Sequence, residues 1–83
     1  MRAWTAEWLS RAQADLLRVH WETAARIDAA VQRFAAMGDG PVRRVVIGSA
    51  VQTRLLVPPY AAVLVLDRRA RIVWVWEVVR YAP

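Results

Sequence analysis

The first residues of the chain alternate between apolar and polar side chains. Between Ala3 and Leu9, the apolar residues Trp4, Ala6 and Trp8 are separated by single polar residues. Successive side chains of a strand point to opposite faces of a sheet, so this period of two predicts a half-buried β-strand from Ala3 to Leu9.

A short helix is predicted next. Ala12, Leu16 and Val19 recur at spacings of three or four residues, which places them on one buried helical stripe. Ser10 precedes the stripe and is the predicted N-cap. His20 follows it, where an imidazole would interact favourably with the free carbonyl groups of the last turn, so we expect a structural role for this histidine.

The second helix has the longer apolar stripe. Ala24, Ile27, Val31 and Phe34 lie on one face of a helix that starts after a predicted N-cap at Thr23. Charged and polar residues occupy the remaining positions, which is typical of a helix packed on one side only.

The composition changes after the glycine- and proline-containing segment 37–41, which ends the second helix. Four runs rich in valine, leucine and isoleucine follow as predicted strands: Val42 to Ile47, Thr53 to Val57, Ala61 to Leu66 and Arg71 to Val79. The turns between them are too short for helical crossovers, so neighbouring strands should pair antiparallel. We therefore predict an α+β protein with a two-layer βααβββ(β) architecture, in which two N-terminal helices pack on an antiparallel sheet.

One face of the last strand is predicted to be aromatic. Simple alternation places Ile72, Trp74, Trp76 and Val78 together, and Arg80 on the same face. Because tryptophans at strand spacing usually pack in a core, we expect the tryptophans of the first and last strands to be core residues.

Length and composition narrow the class of protein. A chain of 83 residues, 58% of them hydrophobic, builds one domain, residues 1–83. The longest uncharged stretch, Leu55 to Leu66, is shorter than the roughly 20 residues of a membrane span, and no secretory signal core is present, so a cytoplasmic protein is expected. Without cysteine and with His20 as the single histidine, neither a metal site nor a cofactor is predicted.

Charge gives the main indication of function. The net charge is +5 and every basic residue is an arginine, so phosphates or acidic proteins are the expected partners. Arginines of the sheet half form the candidate phosphate-binding group: Arg43, Arg44, Arg54, Arg68, Arg69, Arg71 and Arg80. For the cluster from Asp67 to Arg71, a charged hairpin loop that keeps the sheet end soluble is an equally good interpretation.

Three stretches resemble the RelE/ParE toxin superfamily, and together they span the chain. Trp4 to Leu17 is similar to the family's opening strand and first helix. Ile27 to Phe34, with Gly38-Asp39-Gly40 and Val42-Arg43-Arg44, is similar to its second helix and glycine loop. Arg54 to Tyr60, Val63 to Asp67 and Ile72 to Val75 are similar to its signature hairpin and closing strand. The resemblance implies a RelE-like fold.

The resemblance also implies an activity. Members of the family are toxins of type II toxin–antitoxin systems, and RelE-type members are mRNA interferases that cleave mRNA on the ribosome and so inhibit translation. Cleavage by such a metal-independent endoribonuclease uses the 2′-hydroxyl of the RNA, while basic residues stabilise charge on the phosphate. The implied partners are ribosome-bound mRNA and a cognate antitoxin with an acidic amphipathic segment.

The family's functional residues map onto few positions. Arg54 occupies the place of a basic residue before the signature turn, and Arg80 that of a basic residue closing the last strand; Tyr60 matches the tyrosine that opens the fourth strand, and Ala61 stands where the family has an arginine. The implied catalytic residues are Arg54, Arg80 and, for the tyrosine of the family's C-terminal segment, Tyr81. The predicted nucleic-acid-binding residues are Arg43, Arg44, Arg68, Arg69 and Arg71.

Two other functions stay open at the level of sequence. A ParE-like inhibitor of DNA gyrase without nuclease activity would explain Ala61 without requiring chemistry. A degenerate, non-toxic relative that retains only antitoxin binding would use the same basic surface for its acidic partner.

Overall fold

The computed structural model describes residues 3–81, which form two helices and one five-stranded sheet. The elements, in chain order, are β1 (Thr5–Trp8), α1 (Ser10–Leu17), α2 (Trp21–Met37), β2 (Val42–Ile47), β3 (Ala50–Val57), β4 (Tyr60–Asp67) and β5 (Ile72–Arg80). None of the helices described between residues 3 and 81 has the length and apolar character to cross a lipid bilayer.

The sheet confirms the predicted α+β architecture and its meander. The strand order is β1-β5-β4-β3-β2, and strands β2 to β5 pair antiparallel with their neighbours in sequence. β1 pairs with β5 instead, and this pair is parallel. The two helices connect β1 to β2 at the opposite edge of the sheet.

Both helix starts differ from the predictions. Leu9, not Ser10, is the residue that precedes α1, and no side chain caps this end. α2 begins at Trp21, before Thr23, because His20 has an extended backbone and its carbonyl accepts a 2.8 Å hydrogen bond from the amide of Ala24. His20 is therefore the N-cap residue of α2, and the prediction that it lies against the C-terminus of α1 is wrong.

The end of α2 follows the predicted glycine signal. Gly38 has a left-handed backbone with φ of 70°, and its amide donates a 2.7 Å hydrogen bond to the carbonyl of Phe34. A side chain at this angle would meet the preceding carbonyl, which is why glycine ends so many helices.

The helices pack on one side of the sheet, which we call the covered face. Its sheet residues are buried against the helices: Leu55, Ala62, Leu64, Val73, Val75 and Val78. Ala12 of α1 and Ile27, Val31, Phe34 and Ala35 of α2 complete the cluster. No polar or charged side chain is buried among residues 3–81, so apolar packing alone forms this core.

Strand β5 contains one residue more than its partner requires. Val75 pairs with Leu64 of β4, and Glu77 pairs with Val63, so Trp76 between them has no opposite residue. Such a β-bulge reverses the phase of the side chains that follow it. Val78 therefore reaches the covered face although alternation from Trp74 predicted the opposite.

The bulge corrects the predicted aromatic face. Trp74 pairs with Val65 on the side away from the helices, and Trp76 is 50% exposed there rather than buried in the core. Trp4 and Trp8 of the first strand do pack against the core cluster, as predicted. Arg80 shares its face with Val78 but not with Trp76.

The side of the sheet away from the helices is the open face. Ala61 and Val63 are buried at its centre, at 0% and 4% exposure, although neither belongs to the core cluster under the helices. Their cross-strand neighbours on β3 are Leu56 and Arg54. Side chains of the open face, rather than a helix, therefore cover Ala61 and Val63.

Helix α1 closes the free edge of β5 beyond the end of β1. A carboxylate oxygen of Asp15 accepts a 3.0 Å hydrogen bond from the amide of Val78, which lies beyond Val75, the last residue of β5 that pairs with β1. Nearby, Nη2 of Arg11 lies 3.3 Å from Oε1 of Glu77. α1 thus satisfies an edge amide that would otherwise be available to another chain.

Candidate functional site

Arg54 is the central cation of the open face. It lies in the middle of β3, with Arg43 of β2 directly opposite on one side and Val63 of β4 on the other. Two like charges at directly opposite positions of neighbouring strands repel each other. The register therefore concentrates positive charge at one place on this face.

The guanidinium of Arg54 is only partly satisfied. Its Nη2 donates a 3.1 Å hydrogen bond to Oε1 of Gln52, two residues away on the same strand and face. Its Nε is buried and has no hydrogen-bond partner. A buried donor without a partner costs about 1–3 kcal/mol.

Arg80 and Tyr81 lie at a different place from Arg54. Arg80 pairs with Tyr60, and its guanidinium carbon lies 5.8 Å from the centre of the Tyr60 ring, a cation–π distance. Tyr60 packs against the core cluster, so this pair belongs to the covered side of the sheet. The amide of Tyr81 donates a 3.1 Å hydrogen bond to the carbonyl of Pro59 in the β3–β4 turn.

The structure therefore separates the three predicted catalytic residues. Arg54 faces the open side, whereas Arg80 faces the covered side, and Tyr60, which pairs with Arg80, lies opposite Val57, three residues beyond Arg54 on β3. Three residues of strand correspond to roughly 10 Å along the sheet. A single phosphate on the open face would contact Arg54 but not Arg80.

Three of the predicted nucleic-acid-binding arginines surround a second feature, a basic groove on the helix side. This groove has a volume of about 700 Å³ and is lined by Arg44, Arg68 and Arg71. Trp4 and Phe34 also line it, so an apolar floor lies beneath a cationic rim. Arg43 lies on the open face instead, and Arg69 is exposed in the β4–β5 turn outside the groove lining.

The rim of the basic groove includes an unusual backbone conformation. Arg71 has φ of 57°, in the left-handed region that side chains other than glycine seldom adopt. The turn before it is held by Asp67, whose Oδ1 accepts a 3.0 Å hydrogen bond from the amide of Ala70. Backbone strain of this kind concentrates at functional sites.

Among the residues that the structure describes, the arginines of the sheet half have no acidic partner. Within residues 3–81, ion pairs involve Arg11 and Arg33 on the helical half, with Glu77 and Asp39. No carboxylate of this range lies within ion-pair distance of Arg43, Arg44, Arg54, Arg68, Arg69, Arg71 or Arg80. Their charge is therefore available to an external anion.

Sequence reasoning missed three residues of the open face. Gln52 was overlooked, although a polar residue two positions before Arg54 necessarily shares its face. Glu77 was not considered, and Trp76 was expected in the core, because the bulge in β5 follows from the pairing of two strands and leaves no mark in either strand alone.

These features define a class: a small α+β protein with one mainly antiparallel sheet, two helices on one face, and arginines without acidic partners on both sides of the described sheet. Solved structures share this fold. A chain of the toxin–antitoxin complex RelBE2 from Mycobacterium tuberculosis matches with a TM-score of 0.76 and 14% identity, over 93% of this chain and 96% of that chain. A chain of the intact E. coli RelBE toxin–antitoxin complex matches with a TM-score of 0.62 and 11% identity, over 94% and 96%.

The predicted RelE-like fold is confirmed by these likenesses. No protein-family model matches the sequence. No curated protein matches it either. At 14% and 11% identity, what the structures share with this chain is the fold.

Proposed function

We propose that this protein is the toxin of a type II toxin–antitoxin pair and acts as a ribosome-dependent mRNA endonuclease. The observation that carries the proposal is that Arg54, an arginine on the open face, has no carboxylate within ion-pair distance among residues 3–81. Arg43 lies beside it and adds a second positive charge. A fold shared with chains of two toxin–antitoxin complexes supports the same class.

In this proposal Arg54 binds the scissile phosphate. The 2′-oxygen of the RNA attacks phosphorus and loses its proton to a carboxylate. The bond from phosphorus to the 5′-oxygen breaks, and that oxygen takes a proton from water. The products are a 2′,3′-cyclic phosphate and a 5′-hydroxyl end. Arg54 stabilises the negative charge that develops on the phosphate oxygens, a role that requires a fixed cation rather than a proton carrier.

Glu77 is the carboxylate that we assign to accept the 2′-hydroxyl proton. It lies in the same row of the open face as Arg54, with Val63 between them. Nη2 of Arg11 lies 3.3 Å from Oε1 of Glu77, and the Glu77 side chain is 28% exposed. Arginine is a poor proton acceptor at neutral pH, so a carboxylate in this row suits the chemistry better than a second cation.

A cognate antitoxin is part of the proposal, and the basic groove is the place for its acidic segment. Arg44, Arg68 and Arg71 provide the charge, and Trp4 and Phe34 provide the apolar floor that an amphipathic segment contacts. Arg80 and Tyr81, which lie away from Arg54, would contact this partner or the ribosome in the proposal rather than the scissile phosphate.

The test is induced expression in a bacterial host, with primer extension on a translated reporter mRNA. We expect growth arrest together with new 5′ ends at codon positions. Arg54→Ala should abolish both, whereas Arg26→Ala, an exposed arginine of α2, should abolish neither. Arrest that persists in Arg54→Ala would contradict the proposal.

A second candidate is a toxin that inhibits DNA gyrase without cleaving RNA. The separation of Arg54 and Arg80 on opposite faces favours it, as does the complete burial of Ala61 at the centre of the open face. Inhibition of gyrase supercoiling by the purified chain, with reporter mRNA intact in arrested cells, would establish this candidate. Harmless expression of folded protein would indicate a relative that only binds its antitoxin.

A further inference from the structure

We propose that Trp76 is a stacking platform for one base of a single-stranded RNA whose adjacent phosphate binds Arg54. This inference deepens the proposed function because it names the contact that positions RNA on the open face. It rests on the bulge in β5 and on the surroundings of Trp76.

The bulge presents Trp76 to solvent in an otherwise well-packed strand. Val75 is fully buried and Val78 is 9% exposed, yet Trp76 between them is 50% exposed. Because Trp76 has no cross-strand partner, no neighbouring side chain is required to lie against its ring. Half of the Trp76 side chain is therefore accessible to a ligand on the open face.

Surface depressions lie on two sides of Trp76. One, of about 640 Å³, is lined by Trp76 together with Leu9, Val65 and Trp74. The other, of about 510 Å³, is lined by Trp76 together with Gln52 and Glu77. A ring that borders two open spaces offers a planar surface to a base, and the second depression adds polar groups that can hydrogen-bond to base edges.

Arg54 lies at a suitable distance from this platform. Glu77, the neighbour of Trp76, is in register with Val63, which is in register with Arg54, so two strand spacings separate the backbones. This amounts to roughly 10 Å, which an extended arginine side chain and one nucleotide can bridge. Arg43 extends the positive charge to the next strand.

Single-stranded nucleic acid fits these features better than a protein partner. Of the large apolar side chains that are exposed within residues 3–81, only three line the depressions beside Trp76: Trp76 itself, Val65 and Val51, at 50%, 43% and 61% exposure. A docking helix would need a longer row of apolar contacts. A base needs one aromatic surface, and its phosphate needs the nearby cation.

The test measures binding of a fluorescently labelled single-stranded oligoribonucleotide of about eight nucleotides to the purified chain without ribosomes. We expect Trp76→Ala to weaken binding by about tenfold or more and Trp76→Phe to weaken it less, because phenylalanine keeps an aromatic surface. Trp21→Ala is the matched control, since Trp21 is 72% exposed on α2, and it should leave binding unchanged. Circular dichroism of each variant checks its fold.

Salt dependence separates stacking from charge. Trp76→Ala should retain the slope of log affinity against log salt, whereas Arg54→Ala should reduce that slope by about one phosphate contact. A dissociation constant for folded Trp76→Ala within twofold of the wild type, or no RNA binding by the wild type, would overturn the inference.

The outcomes also distinguish this inference from the proposed function. RNA binding that depends on Trp76 in a chain that never cleaves mRNA would support the platform and contradict the nuclease. Codon-positioned cleavage that is unaffected by Trp76→Ala would support the nuclease and contradict the platform.

Discussion

The two faces of the sheet differ in what covers them: apolar packing on one face and charged side chains on the other. On the covered face, apolar side chains of all the inner strands pack in one cluster with both helices. On the open face, Arg43 and Arg54 lie side by side, and Nε of Arg54 is buried without a partner. Repulsion and an unsatisfied donor both lower the stability of the free chain. The covered face thus reflects the requirements of folding, and we attribute the less stable arrangement of the open face to ligand binding.

The largest change in the free energy of unfolding is expected from a substitution on the covered face. Leu64 is 1% exposed, and Leu64→Ala should lower the free energy of unfolding by about 3 kcal/mol, because it leaves a cavity between the sheet and the helices. Val65→Ala, the next residue on the open face, should cost less than about 1 kcal/mol because Val65 is already 43% exposed. Urea unfolding of both variants measures the difference. Similar losses would show that the faces are equivalent in packing.

The second-largest loss of stability is expected when the contact between α1 and the edge of β5 is removed. Asp15→Ala removes the acceptor of the Val78 amide and should cost about 2 kcal/mol, since that amide is left without a partner. Asp28→Ala on the exposed side of α2 is the control. Faster hydrogen exchange of the Val78 amide in Asp15→Ala, but not in Asp28→Ala, is the specific signature. Unchanged exchange at Val78 would argue against this contact.

Substitution of Arg54 is expected to give a smaller change in stability, and this change is a gain rather than a loss. Arg54→Met keeps an unbranched side chain but removes the unsatisfied Nε and the repulsion with Arg43. The free energy of unfolding should therefore rise by about 1 kcal/mol. The same variant should lose mRNA cleavage, because it lacks the cation that binds the phosphate. Arg43→Met removes only the repulsion and should give a smaller rise. A loss of stability in Arg54→Met would mean that the guanidinium serves the fold.

The smallest change in the free energy of unfolding is expected from a substitution at the rim of the basic groove. Arg71→Gly relieves a left-handed backbone and should raise the free energy of unfolding by about 0.5 kcal/mol. The same variant removes one cation of the groove and should weaken binding of the antitoxin that the proposed function requires. Arg69→Gly is the control, because Arg69 lies in the same turn but not in the groove lining. Equal weakening by both variants would exclude a specific role for the groove.

Most of the fold could be predicted from local patterns. The boundaries of β2, at Val42 and Ile47, agree with the prediction because the flanking glycines and proline are strong local signals. The apolar stripe of α2 correctly identified Ile27, Val31 and Phe34 as core residues. The parallel pairing of β1 with β5 was not predicted, since it joins the two ends of the chain and depends on how the helices cross the sheet.

The candidate site was less predictable, for a physical reason that β5 illustrates. The direction of a strand side chain alternates with every residue, so one unpaired residue misplaces all those that follow. Arg80 was predicted to share a face with Trp76, and the bulge turns it to the other side. Arg54 precedes the bulge in the chain and lies in a regular strand pair, so the bulge does not change its face.

The bulge also has a consequence for comparing sequences. If Trp76 were absent, Val75 and Glu77 could pair with Leu64 and Val63 in a regular ladder, and no other residue of β5 would change its partner. Relative to a regular strand, Trp76 is the additional residue, and aligning this chain with a protein whose closing strand is regular requires a one-residue gap at that position. An ungapped alignment would shift Val78 and Arg80 by one place, matching core positions with surface positions and concealing part of the relationship.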